Sequence, residues 1–243
     1  MPATDAAVTR TERAYQQIRT DILAGRLRPG SPLRLAALAG EFSVSMSVVR
    51  EALNRLSGHG LVTTTPNQGF RVTPLSRADL EDLTALRLTL ECQALAGSIA
   101  SADVRWEGEV VSAHHVLERT PISDGRSPGA SDEWTEAHAA FHDALVAACG
   151  RPRLLALVRS LRDTAEVYRQ WAGPLGEKRG RDVEVEHRAL MELATARRTE
   201  DAVEALRAHI QRTTDILLAQ DIAGTDAVPA GDARGSHGAI LLR

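Results

Sequence analysis

Apolar residues recur every three or four positions along most of the chain, the signature of helices with one buried face. Thr9 stands three residues ahead of Glu12 as in a capping box; Tyr15, Ile18 and Ile22 follow at helical spacing, and the pattern stops at Gly25. "LRLAALAGEF" predicts a short second helix. Ser45 can cap a third, "MSVVREALNRLSG", which turns Val49, Leu53 and Leu56 inward. Only "SVS" separates the two, the spacing of a helix-turn-helix. In "GLVTTTPNQGFRVTP" the periodicity changes to two short runs of β-formers around a Pro-Asn-Gln-Gly turn. Three helices followed by a hairpin make a winged helix.

Pro74 ends this unit, and Ser76 with Asp79 caps a long helix, "RADLEDLTALRLTLECQALAGSIA", directly after it. Five more helical segments follow: "WEGEVVSAHHVLERT", "DEWTEAHAAFHDALVAACG", "PRLLALVRSLRDTAEVYRQWAG", "RDVEVEHRALMELATARR" and "EDAVEALRAHIQRTTDILLAQ". The expected fold is mainly α: an N-terminal winged helix-turn-helix over 1–74, an all-α helical bundle over 75–220 and a flexible tail over 221–243. The loop "TPISDGRSPGASDE" is expected to be flexible as well.

Composition narrows the classes. With 243 residues, 43% of them hydrophobic and 25% charged, the chain has material for a real core. No apolar run approaches bilayer length and the first twenty residues lack the apolar core of a secretory leader, so a cytoplasmic home is expected. Cys92 and Cys149 form no CxxC pair and read as buried thiols. The charge is unevenly spread. Nine arginines and no lysine stand against five acids before Pro74, while acids outnumber bases in the remainder. A basic head on an acidic body fits nucleic-acid binding by the head.

The run "LRLAALAGEFSVSMSVVREALNRLSGHGLVTTTPNQGFRVTP" resembles the GntR-type bacterial transcription regulators almost end to end. The resemblance implies a third helix in the major groove and a wing tip in the minor groove. Carried over residue by residue, the implied DNA contacts are Arg34, Ser45, Ser47 and Arg50, with Gln68 and Gly69 in the wing. An arginine fork matches the O6/N7 edge of guanine, and hydroxyls at a helix N-terminus suit phosphate. The alternative for Arg50 is a plain surface ion pair. Met46 stands where the family usually has arginine, so one contact is expected to differ.

In the body, His138 and His142 share a helix face with Leu145; His187 lies with Val183, Leu190 and Ala194; His209 follows Leu206. A lone inward histidine is ordinarily a hydrogen-bonded core residue, but inward histidines on three helices point to a metal. "FHDALVAACGRPRLLALV" and "EHRALMELATARRTEDAVEALRAHI" resemble the FCD-type effector domain found in one GntR subfamily. That resemblance implies a divalent ion held by an aspartate and three histidines. His142, His187 and His209 match, and His138 occupies the aspartate position. A four-nitrogen set favours zinc or nickel over oxygen-preferring ions. Arg87, on the stripe Leu80, Leu83, Arg87, Leu90, is either a structural partner of Glu91 or, as in many relatives, a contact for an anionic effector. His114 and His115 match no motif and are expected on the surface.

The leading expectation is a homodimeric transcription regulator, a repressor, on a pseudo-palindromic double-stranded operator, with no membrane attachment and no catalytic residues. A metal and a small organic acid in the helical domain would modulate operator binding. Two other readings stay open: a metal-dependent, hydrolase-like enzyme, against which stands the absence of an obvious general base, and a regulator whose helical domain is purely structural.

Overall fold

The computed structural model describes residues 9–65, 69–123, 130–171 and 181–219. Gln68, the loop segment 124–129 and the tail from 221 fall outside the described residues. Helix α1 (Arg10–Leu23) is followed by strand β1 (Pro32–Leu33), helices α2 (Leu35–Glu41) and α3 (Met46–Gly58), and strands β2 (Val62–Thr65) and β3 (Gly69–Val72). Thr9 Oγ1 accepts from the Glu12 N–H at 3.1 Å, the N-cap half of the expected capping box, while the Glu12 carboxylate accepts from Gln16 and Arg55 instead of closing it. Ser45 Oγ likewise accepts from the Val48 N–H. Between α2 and α3, Ser43 adopts φ 53°, a left-handed residue that reverses the chain within the tight turn.

β2 and β3 pair antiparallel, Val62 opposite Val72 and Thr64 opposite Phe70. The sequence pattern did not mark β1, whose two residues pair with Arg71 and Phe70 on the other edge of β3. Val49, Ala52, Leu53 and Leu56 of α3 are fully buried against Ile18 and Ile22 of α1. Each such large aliphatic side chain contributes about 1.5–3 kcal/mol.

The remaining described helices form a bundle: α4 (Arg77–Ser101), α5 (Val104–Arg119), α6 (Asp132–Val146) continued by a 3₁₀ turn (Ala147–Cys149), α7 (Pro152–Trp171), α8 (Val183–Thr195) and α9 (Thr199–Leu218). Its core runs through Leu95, Val110, Phe141, Leu145, Val158, Leu190 and Leu206. Both cysteines are buried free thiols, and Gly97 allows Cys149 to approach: a Cβ on Gly97 would lie 3.5 Å from that of Cys149. Among the described residues no helix is long and apolar enough to cross a membrane.

Helix α7 joins the two parts. Val167 and Tyr168 of α7 and Leu217 of α9 belong to the same apolar cluster as the head's Ile18 and Leu53. The Tyr168 hydroxyl donates to Asp79 Oδ2 at 2.6 Å and accepts from the Ser76 N–H, which pins the start of α4. Ser160 Oγ donates to the His59 carbonyl at 3.0 Å. Arg19 of α1 forks onto Asp163, Nε to Oδ2 at 2.8 Å and Nη2 to Oδ1. The head therefore rests on the body through an apolar seam edged by charge, and not through the short link at Pro74 alone.

Candidate DNA-binding face and metal centre

The residues implied for DNA contact, Gln68 aside, are exposed on the head. Arg34 is the residue before α2, and Ser45, Met46, Ser47 and Arg50 occupy the cap and first turn of α3; all are exposed. Gly69, φ 76° at the start of β3, is exposed too. Among the described residues the guanidiniums of Arg34 and Arg50 make no hydrogen bond or ion pair, so they are available to an outside partner. By contrast Arg55, one turn further along α3, is bound to Glu12 at 2.8 Å and lies 4.2 Å over the Tyr15 ring. Ser45 Oγ is partly spent on the cap and lies 2.8 Å from Ser47 Oγ. The Met46 and Ser47 N–H groups at the start of α3 have no intrahelical partner, and such groups beside hydroxyls suit phosphate. Met46 is 56% exposed, a large apolar side chain with more than half of its surface open to solvent.

In the body, α6 supplies His138 and His142, α8 supplies His187 and α9 supplies His209. One nitrogen from each lies within 4.8 Å of those of the others. Ring centroids stand 5.3 Å apart for His142 and His209 and 4.9 Å for His187 and His209. Both nitrogens of His142 and Nε2 of His187 are buried and without a hydrogen-bond partner. Unsatisfied buried nitrogens cost free energy, and several pointing together define a place for an electron-pair acceptor. Burial, aided by each other and by the arginines nearby, pushes all four imidazoles below the usual histidine range, so they are neutral donors at neutral pH.

His209 Nδ1 is 2.8 Å from Glu186 Oε2. A carboxylate behind a histidine fixes its tautomer and turns the other nitrogen outward, the usual support for a ligand. Burial alone would raise the Glu186 carboxyl, but hydrogen bonds from His209, Arg181 and Arg212 outweigh it and hold it far below the carboxylate range. The donor set and its backing thus fit a borderline divalent ion. His138 differs from the other three. It stacks on Trp134 at 4.7 Å, and Arg169 Nη1 lies 3.1 Å from its Nδ1 and 3.3 Å from its Nε2. Neutral imidazole has a single free lone pair, so accepting from Arg169 and binding an ion are alternatives for His138.

A cavity of about 220 Å³ opens over His138, His142 and His209, while His187 lines a small neighbouring pocket with His114 and Trp134. Arg87, Arg162, Arg169 and Arg181 all reach the larger cavity. Arg87 Nε donates to Glu91 Oε1 at 2.6 Å, and Arg162 Nε to Glu91 Oε2 at 2.7 Å. The Arg87–Glu91 ion pair and the approach of Arg87 to the cavity therefore coexist. Burial would raise the fully enclosed Glu91 carboxyl, yet Arg162 and Arg87 together lower it. Burial, then Arg87 and Arg181, pull the Arg169 guanidinium down to about 9; it stays charged at neutral pH, paired with Glu166.

Arg162, Arg169, Arg181 and Glu186 escaped the sequence reading. Glu186 precedes a candidate ligand, but helical spacing does not tell which side chain of another helix it meets. His114 was expected on the surface; it is buried, its ring edge-on to Phe141 at 5.5 Å, because α5 turns that face onto α6. His115 beside it is exposed.

Comparison with known proteins agrees with this two-part architecture. Residues 10–72 match the model of the bacterial regulatory proteins of the gntR family, and residues 82–212 match the FCD domain. The chain is 37% identical over 207 residues to the HTH-type transcriptional regulator BphR of Paraburkholderia xenovorans, covering 85% of this chain and 84% of that one. It is 32% identical over 206 residues to the HTH-type transcriptional repressor GlaR of Escherichia coli, covering 84% and 93%. Among solved structures, McbR/YncC of E. coli shares the fold with a TM-score of 0.74 at 21% identity, over 88% of this chain and 99% of that one. Basic winged-helix head, helical body and matched models lead to one conclusion: the chain is a member of the gntR family of bacterial regulatory proteins, a DNA-binding transcription regulator with an FCD domain and not an enzyme.

Proposed function

We propose that this regulator is a repressor that binds a pseudo-palindromic operator as a homodimer, and that its helical domain holds a divalent ion and, through it, a small carboxylate that modulates operator binding. The repressor assignment rests on the likeness to the transcriptional repressor GlaR. A dimer is expected because one winged helix contacts too little DNA for high specificity, and a symmetric pair reads a symmetric site. Arg50 and Arg34 would contact bases and phosphates, Ser45 and Ser47 phosphate, and Gln68 and Gly69 the minor groove from the wing.

The observation that carries the effector reading is the convergence of four neutral imidazoles, three of whose nitrogens are buried without partners. His142, His187 and His209 would hold the ion, with His138 as fourth donor when it releases Arg169. Nitrogen donors favour zinc or nickel. When bound, the ion supplies an uncompensated double positive charge that attracts a carboxylate. The residues do the rest: Glu186 orients His209, and Arg87 offers the ligand a second charge contact beside Glu91. Metal analysis of His142→Ala, His187→Ala and His209→Ala beside the parent protein tests the reading, followed by acetate titration of each. Loss of the ion and of acetate binding in the variants is expected. Full occupancy in all three, or no uptake by the parent after reconstitution with zinc and nickel, would overturn it.

A further inference from the structure

The cavity over the histidines is not enclosed by the body alone. Arg19, Thr20 and Leu23 of α1, in the DNA-binding head, form part of its wall. Arg19 uses Nε and Nη2 on Asp163, which leaves Nη1 among its five donor hydrogens without a partner. Deeper in the same cavity, Arg162 is held by Glu91 and by Asp143 at 3.1 Å, and its Nη2 is buried with no partner. Arg162 and Asp163 are adjacent on α7, so one helix carries both the inner arginine and the acid that aims the outer one.

Two cationic donors thus approach one cavity from different domains, each already fixed by a carboxylate and each with a hydrogen to spare. Fixing matters, because an arginine whose rotamer is already chosen loses less entropy when a ligand arrives. The volume of about 220 Å³ exceeds the roughly 150 Å³ that accommodates benzene, so acetate would leave much of it to water. Something longer is better matched, with an anionic group at each end.

Resting on the carboxylate reading above, we propose that the occupant is a dicarboxylate whose inner end meets the histidine site and Arg162 Nη2 and whose outer end is received by Arg19 of the DNA-binding head. The head is then part of the effector site. Asp163 is a positioning residue that holds the Arg19 fork toward the cavity, and the ligand reaches the DNA-binding unit by direct contact in addition to any strain through the link at Pro74.

The test uses the full chain loaded with zinc, with acetate and succinate as probes in calorimetric titrations. Succinate should bind at least tenfold more tightly than acetate. Arg19→Gln should remove that advantage while acetate affinity and zinc content stay at the parent level. Equal succinate affinity in Arg19→Gln and parent overturns the assignment to Arg19 and leaves the carboxylate reading standing. Zinc-loaded protein that binds neither acid overturns both. A second measurement needs no substitution: succinate at saturation should raise hydrogen-exchange protection of α1 amides, and acetate should not. Should Arg19→Gln unseat the head and lower acetate binding as well, this measurement decides, and α1 protection unchanged by succinate sinks the proposal.

Discussion

The head and the body both rely on arginine, and they treat it in opposite ways. On the candidate DNA face the Arg34 and Arg50 guanidiniums are exposed and without partners among the described residues. Around the histidines Arg87 and Arg162 are almost fully enclosed and share Glu91, itself 0% exposed. An exposed guanidinium waits in water at little cost and gives up hydration only when phosphate or a base edge replaces it. A buried one must be compensated within the fold before any ligand arrives, or the fold does not form. The same residue type is a surface tool in one region and part of a pre-assembled charge network in the other. Substitutions should therefore separate cleanly: those at Arg34 and Arg50 change binding and leave stability alone, and those at Arg87 and Arg162 change stability first.

The sharpest break is at Glu91. Glu91→Gln leaves the Arg87 guanidinium without a carboxylate and Arg162 with Asp143 alone, and a loss of about 3–5 kcal/mol of unfolding free energy is expected. A denaturant titration checks it; a loss under 1 kcal/mol would show that water reaches these arginines freely. Next in size is removal of the ion. At a free zinc concentration about a hundredfold above its dissociation constant, binding adds about 2.7 kcal/mol, so a chelator should lower the melting temperature of zinc-loaded protein measurably. The same chelator should leave a His142→Ala/His209→Ala protein where it was.

In the head, Arg50→Ala should cost on the order of 1–3 kcal/mol in operator affinity with no shift in melting temperature, because the guanidinium is exposed and holds no hydrogen bond or ion pair among the described residues. Gel-shift and melting curves on one preparation test both halves. The smallest effect is at Met46, an exposed apolar side chain beside the helix N-terminus. Met46→Arg should steepen the salt dependence of DNA binding by roughly one counterion; an unchanged slope would mean that position 46 does not face DNA.

The regions also differ in how far the sequence exposes them. Local signals fix the head: the cap at Thr9, the spacing of Val49, Leu53 and Leu56, and the turn before Gly69 each act within a few residues. Only β1 was invisible, since two residues carry no periodicity and pair with β3 some forty positions away. In the body, helical spacing shows that His142, His187 and His209 face inward, and the four rings do converge. What converges with them was not readable. Arg162 reaches Glu91 across 71 positions, and Arg181 reaches Thr213 across 32. Periodicity gives the face of a helix and not the neighbour that covers it, so a site whose histidines come from three helices shows them in the sequence and hides their supports.

The wall contributed by α1 bears on protein engineering. Regulators of this kind invite recombination, with the sensing half of one fused to the reading half of another to make a reporter that answers a chosen metabolite at a chosen promoter. Here a cut near Pro74 would replace Arg19, Thr20 and Leu23 along with the operator specificity. A chimaera with a foreign head would carry a cavity missing one wall. The joint that preserves the response is not a point in the chain but a surface, and a working hybrid has to transplant the cavity-facing side of α1 together with the body.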